Sequence, residues 1–156
     1  MSPAMNGHPD NRGPISLPEA TSAAGAPAVD VMALLGRCLG NIELVVRVLD
    51  RFRKTGCTDL EQLEQAVERS DYDAVVQIAH RFKGAAGNTS APALHKIAAA
   101  LEQRGRERNG AELCDALAQL RSEWEDFIRF AEAFAPAAGA TSSCPSGQLQ
   151  PLTSRN

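Results

Sequence analysis

Between residues 28 and 135 the apolar positions recur at intervals of three and four, and strict apolar–polar alternation is absent. That spacing follows the turn of an α-helix rather than the two-residue repeat of a strand. Asn41 is a suitable N-cap for a helix beginning IELVVRVLDRF, because its short side chain can accept from an orphan backbone N–H. The apolar face runs through Val45, Val48, Leu49 and Phe52 and continues in phase past Gly56 as Leu60, Leu63 and Val67. The unbroken phase favours one long helix, bent at Gly56 if anywhere. A separate helix capped by Thr58 competes with it, since Thr58-x-x-Glu61 fits a capping box. Asp71 caps the next helix, YDAVVQIAHRFKGAAGN. Thr89 or Ser90 then opens a helix around Pro92, a residue that a first turn tolerates, with Leu94, Ile97, Ala98 and Leu101 on one face.

Beyond a turn at 104–110, Leu113, Leu117, Leu120, Trp124, Phe127, Ala131 and Phe134 alternate spacings of four and three, the seam of a bundle helix. Short connections between four such helices make neighbours antiparallel. The predicted fold is therefore all-α: an up-down-up-down antiparallel four-helix bundle, with a short additional N-terminal helix at 30–38 packed across one end.

Proline sets the limits of this unit. Of the nine prolines only Pro92 falls within 28–135, and proline is excluded from helix interiors. Segments 1–27 and 136–156 are rich in Pro, Gly, Ser, Thr and Ala and too poor in large apolar residues to bury a core, so both are expected to be flexible tails. The 156-residue chain has a net charge of −3, with no basic excess to displace counterions from a nucleic-acid backbone. No apolar run is long enough to cross a membrane, and the N-terminus lacks the cationic start and apolar core of a signal peptide; the expected location is the cytoplasm. Cys38, Cys57, Cys114 and Cys144 form no close pair of the kind zinc and redox sites need. The first three read as small hydrophobes within helical patterns, and Cys144 as a free thiol in a tail.

Only one segment of this scaffold is chemically unusual. With about 100° per residue and His80 at zero, Val75, Ile78, Phe82 and Ala85 fall within about 40° of the opposite side and form a core stripe. Lys83, Gly84, Gly87 and Val76 fall within about 60° of His80. Each glycine in a helix costs about 1 kcal/mol relative to alanine, so an ordinary solvated face has no use for two of them. Here they remove the side chains that would wall in an imidazole. Lys83, one turn on, can offset negative charge on a group attached to that imidazole. Imidazole is a competent nucleophile near neutral pH. Exposed nucleophile, bare surroundings and adjacent cation together suit a phosphate carrier. A lone surface histidine with two glycines that merely let helices pack is the bland alternative, and the position of both glycines away from the apolar stripe speaks against it. His8 lies in a tail. His95, at the start of its helix, has no acidic or cysteine partner at ligand spacing and reads as a surface residue.

The run Ala79-His80-Arg81-Phe82-Lys83-Gly84-Ala85-Ala86-Gly87-Asn88, followed by Ala91, Leu94 and Leu101-Glu102, closely resembles the histidine-containing phosphotransfer (HPt) domain family. Upstream, Phe52, Leu60 and Leu63 have the spacing of that family's long first bundle helix. The resemblance covers roughly 29–135. It implies that His80 is the phosphoacceptor, that Lys83 lies near the phosphoryl group, and that Gly84 and Gly87 keep a docking surface flat, with Val76 beside them. It matches Glu102 to a polar position that can hold the other imidazole nitrogen, although an ordinary boundary glutamate fits the spacing equally well. Arg81 is a candidate for steering an acidic partner. One departure is Ser90-Ala91 where the family commonly has Gly-Ala. Glycine suits a left-handed helix end and serine suits an N-cap, which leaves the geometry of this turn open.

The resemblance further implies a monomeric phosphocarrier without its own ATP site, and so not an enzyme in its own right. Its partners would be response-regulator receiver domains or a hybrid histidine kinase, with Mg²⁺ on the receiver and no cofactor or metal on this chain. Two other readings remain: a helical interaction module without phosphate chemistry, and the isolated phosphoacceptor domain of a histidine kinase.

Overall fold

The computed structural model describes residues 27–135, so the two expected tails lie outside the described residues apart from Pro27. Five helices account for the described chain, with no strand among them: α1 (Val31–Arg37), α2 (Ile42–Glu68), α3 (Tyr72–Asn88), α4 (Pro92–Glu107) and α5 (Gly110–Phe134). The last four form the bundle. Each packs on its neighbours in sequence, and α5 closes the ring against α2.

Helix α2 runs through Gly56 and Thr58 without interruption, so Thr58 is no cap; its hydroxyl donates back to the Lys54 carbonyl within the helix. Asn41, Asp71 and Asn109 cap α2, α3 and α5 by accepting from the N–H groups of Leu44, Ala74 and Glu112. Neither Thr89 nor Ser90 caps α4. Its N-cap is Ala91, with no side-chain bond, and Pro92 occupies the first turn. The turn expected over 104–110 is also shorter, because α4 continues to Glu107 and buries Gly105.

Three bundle turns share one construction. At the ends of α2, α3 and α4 a single residue enters the left-handed region: Ser70 (φ 54°), Ser90 (φ 55°) and Arg108 (φ 54°). The residue after it both closes the old helix and starts the new one. After α3, for example, the N–H groups of Ser90 and Ala91 donate to the carbonyls of Gly87 and Ala86, the paired bonds of a Schellman end. Ser90 thus takes the conformation that glycine takes without penalty, and its buried hydroxyl has no hydrogen-bond partner. The departure from Gly-Ala costs backbone energy, on the order of 1 kcal/mol, but does not change the turn.

Helix α1 covers the end of the bundle where this turn lies. The Asp30 N–H donates to the Ser90 carbonyl at 2.8 Å, Arg37 Nη1 donates to the Gly87 carbonyl at 2.9 Å, and Ala28, Val29, Leu34 and Cys38 are buried. Among the cysteines, Cys38 is buried and Cys57 half-buried, as small apolar residues, but Cys114 is exposed on α5. Burial of Leu113, Ala116 and Leu117 turns position 114 outward.

An aromatic cluster fills the centre. Phe52 makes edge-to-face contacts with Phe82, Trp124 and Phe127, at centroid separations of 5.4, 5.3 and 5.0 Å. Gly56 is explained by this cluster and not by a bend. A Cβ there would lie 2.7 Å from Cζ3 of the Trp124 indole and closer still to its Cη2. The ring is rigid and packed on all three phenylalanines, so it cannot yield cheaply. Gly56→Ala is therefore expected to lower stability by about 1–3 kcal/mol through overpacking, despite the better helix propensity of alanine. Equilibrium urea denaturation checks this, and unchanged or increased stability would refute the role given to Trp124.

Candidate functional site

Helix α3 is rolled towards α4. Its buried residues are Val75, Ile78, Ala79, Phe82 and Ala86, with Ala85 only half-buried. The two added alanines lie on one flank of the expected stripe, where small side chains let α4 come close. Gly105 of α4 completes this approach, since a Cβ on it would stand 2.9 Å from Val76 Cγ2. The roll separates residues that the helical wheel grouped together. His80 and Gly84 are exposed, whereas Val76, Lys83 and Gly87 are half-buried along the α4 side.

The same roll brings Glu102 to the imidazole. Glu102 is only 3% exposed, the cost of which its partners must offset. His80 Nδ1 stands 3.1 Å from Glu102 Oε1, and Lys83 Nζ donates to Oε2 at 2.6 Å. Arg106, one turn along α4, also donates to Oε1. A carboxylate only accepts hydrogen bonds, so it is Nδ1 of His80 that carries the proton. In the neutral ring this leaves the lone pair on Nε2, on a side chain that is 69% exposed. The hydrogen bond from Lys83 foremost, then the bond from His80 and the charges of Lys83 and Arg106, holds the Glu102 carboxyl below its ordinary pKa, against the upward push of burial.

The two glycines have different surroundings. At Gly84 an added Cβ would meet nothing within 4 Å, so this position is open surface one turn from the imidazole. At Gly87 the added atom would lie 3.3 Å from His95 Cδ2. Gly87 therefore makes room for a side chain of α4, the close-packing role set aside for it above. Arg81 turns to the other flank. Its Nε and Nη2 donate to Asp59 Oδ1 of α2 at 3.0 and 2.5 Å, and Nη2 also donates to Gln62 Oε1 at 2.9 Å. Asp59 is buried, and its hydrogen bond raises the Arg81 pKa further. The guanidinium, on a side chain that is 57% exposed, is thus already paired with a carboxylate of the bundle.

Asp59 and Arg106 were not singled out in the sequence. Arg106 stands four residues after Glu102, a spacing that lets side chains meet on a helix. Asp59 gives no local signal, because it lies among the polar residues of a long amphipathic helix. The described residues also expose large apolar side chains close together in the sequence. Met32, Leu39, Ile42 and Leu44, their exposed large hydrophobics, all fall within 32–44, beside the end that Arg37 ties to Gly87. Among the described residues no three His, Cys, Asp or Glu side chains come together as a metal site, and no helix is long and apolar enough to cross a membrane.

The lowered Glu102 pKa gives a signed expectation. A carboxyl group depressed in the folded state stabilises the protein above its unfolded pKa and loses that contribution as pH falls through the folded value. Glu102→Gln should thus be less stable than the parent at pH 7, and the gap should close in acid, where the parent carboxyl is also uncharged. Chemical denaturation at a series of pH values from 7 to below the carboxylate range checks this; a gap that persists in acid contradicts it.

Residues 47–129 match the family model described as the Hpt domain. No curated protein and no solved structure matches the chain.

Proposed function

Since the chain belongs to the Hpt domain family, whose members are histidine phosphotransfer domains of two-component systems, we propose that His80 is a phosphoacceptor relaying a phosphoryl group between receiver-domain aspartates. The observation that carries this reading is the histidine itself, a side chain that is 69% exposed with its Nδ1 on a buried carboxylate. Carriers of this kind supply a nucleophile and a docking surface and take their energy from the phosphoryl donor. In this reading the chain needs no ATP site, and Mg²⁺ resides on the receiver.

The geometry suits a direct transfer. The Nε2 lone pair attacks phosphorus of the aspartyl phosphate, the P–O bond to the acyl oxygen breaks, and the aspartate leaves as a carboxylate. Nδ1 keeps its proton throughout, so the phosphorylated ring carries a positive charge. Glu102 faces that charge directly and stabilises it. In the onward step a carboxylate oxygen of a second aspartate attacks phosphorus, the P–N bond breaks, and the ring returns to neutral. Lys83, anchored to the same carboxylate, places an ammonium beside the imidazole, where it can attract the phosphoryl oxygens. A partner would approach over Gly84, and the exposed apolar side chains within 32–44 offer further surface for it to bury.

His80→Gln should abolish acid-labile phosphorylation by phosphorylated receivers and leave the helical circular dichroism spectrum unchanged, because the position is exposed. Labelling that survives the substitution, located by mass spectrometry, would remove His80 from the reaction; a pure interaction module would bind its partner equally well with glutamine there. Feeding the chain from a kinase core and ATP instead of a receiver tests the kinase-fragment alternative.

Gly84→Glu isolates the docking face. No neighbour opposes the new side chain, and replacing glycine within a helix favours folding by a fraction of about 1 kcal/mol. The expected signature is an equal or higher melting temperature with slower transfer from a receiver, since the carboxylate stands where an acidic partner must come close. Transfer at the parent rate would mean that the partner does not pass over Gly84.

A further inference from the structure

Two consecutive residues of α3 are anchored in opposite directions. His80 is tied to Glu102 of α4 and Arg81 to Asp59 of α2, and both carboxylates are buried, at 3% and 6% exposure. Successive side chains on a helix project about 100° apart. The two bonds therefore grip α3 from both flanks of the face that carries the imidazole, and together they oppose rotation of the helix about its axis. Neither bond can do this alone: a single tether on one flank leaves the helix able to roll away from it. The Arg81 side also has the geometry of a fixed part, with Nε and Nη2 meeting one carboxylate oxygen and Nη2 shared with Gln62. Burial makes the pair strict, because a carboxylate without its partner would be left uncompensated inside the bundle.

We propose that Asp59, acting through Arg81, is a positioning residue for the phosphoacceptor: the Asp59–Arg81 pair sets the roll of α3 that keeps His80 Nδ1–H on Glu102 and Nε2 outward. This rests on His80 being the acceptor, and it replaces a partner-steering role for Arg81. Loss of the pair lets α3 roll, the hydrogen bond to Glu102 loosens, and the ring samples the tautomer in which Nε2 is protonated and cannot attack.

Phosphoramidate separates positioning from docking, because this small donor reaches the histidine without any protein partner. The Nε2 lone pair takes its phosphoryl group, the P–N bond of the donor breaks, and ammonia leaves. In the full chain, Asp59→Asn and Arg81→Gln should each slow phosphorylation of His80 by phosphoramidate about threefold or more. The double variant should be no slower than either single, because both remove one interaction. Nitrogen-15 NMR of the imidazole should show the Nδ1-protonated form of His80 losing population in the same variants. Glu64→Gln serves as the control: it breaks the Arg121 pair between α5 and α2, and should change neither readout even if it lowers stability.

Rates and tautomer populations equal to the parent in Asp59→Asn would overturn the proposal, and this variant, which leaves only an exposed guanidinium unpaired, decides the matter if Arg81→Gln, which strands a buried carboxylate, fails to fold. Slower transfer from a receiver with an unchanged phosphoramidate rate would restore the steering role and overturn it too. Failure of the underlying reading looks different: phosphoramidate would then label His80→Gln as fast as the parent, while the NMR comparison would still report whether Asp59 holds the ring.

Discussion

One buried carboxylate organises the site. Glu102 receives the imidazole of His80, the ammonium of Lys83 and the guanidinium of Arg106 on its two oxygens. An isolated carboxylate in that position would be prohibitively costly, and its partners are what make the burial tolerable. The arrangement fixes several things together. It selects the Nδ1-protonated tautomer and keeps a cation beside the imidazole; in the proposed function it also leaves Nε2 as the nucleophile and supplies the counter-charge for a phosphorylated ring. Two of the three partners are basic, so the surface around the imidazole stays attractive to a phosphoryl group even with Glu102 ionised.

The fold exists, from the standpoint of this site, to bring α4 against α3 closely enough for Glu102 to reach. Small residues do that work. Ala79, Ala86, Ala98 and Gly105 are all buried in these two helices, and the Gly105 backbone lies almost in contact with Val76. On the far side of α3, the aromatic cluster around Phe52 and Phe82 fixes depth, and Gly56 admits Trp124 into it. Depth, roll and spacing of α3 are thus set by different contacts, and the imidazole inherits all three. The tight turn at Ser90 holds the α3–α4 pair in register even though its residue is a poor choice for a left-handed conformation.

Much of this was legible in the sequence. The long helices, the caps at Asn41 and Asp71, the bundle architecture and the odd chemical character of the segment around His80 all follow from periodicity and residue type. The family resemblance that the same segment carries agrees with the match over residues 47–129. What the helical wheel lacked was the roll of α3. A wheel weights large apolar side chains, so Ala79 and Ala86 counted for little, and Gly87 was read as bare surface when it makes room for His95. The burial of Glu102 was equally hidden, because a glutamate at the edge of an apolar stripe looks the same whether its neighbour helix stands near or far. Long-range pairs such as Arg81 with Asp59 leave no trace in local spacing. The N-cap of α4 was misplaced for a simpler reason: serine favours caps in general, but here the position before Ala91 must be left-handed to turn the chain.

In the proposed function Glu102 holds Nδ1–H and leaves Nε2 to take the phosphoryl group. Combined phosphorus-31 and nitrogen-15 NMR of the phosphorylated protein tests it most directly, because the coupling between phosphorus and nitrogen identifies the ring atom that carries the group. A single phosphohistidine is expected at residue 80, with phosphorus on Nε2 and a proton still on Nδ1. Phosphorus on Nδ1 of His80 would contradict it, since that nitrogen could not then donate to Glu102.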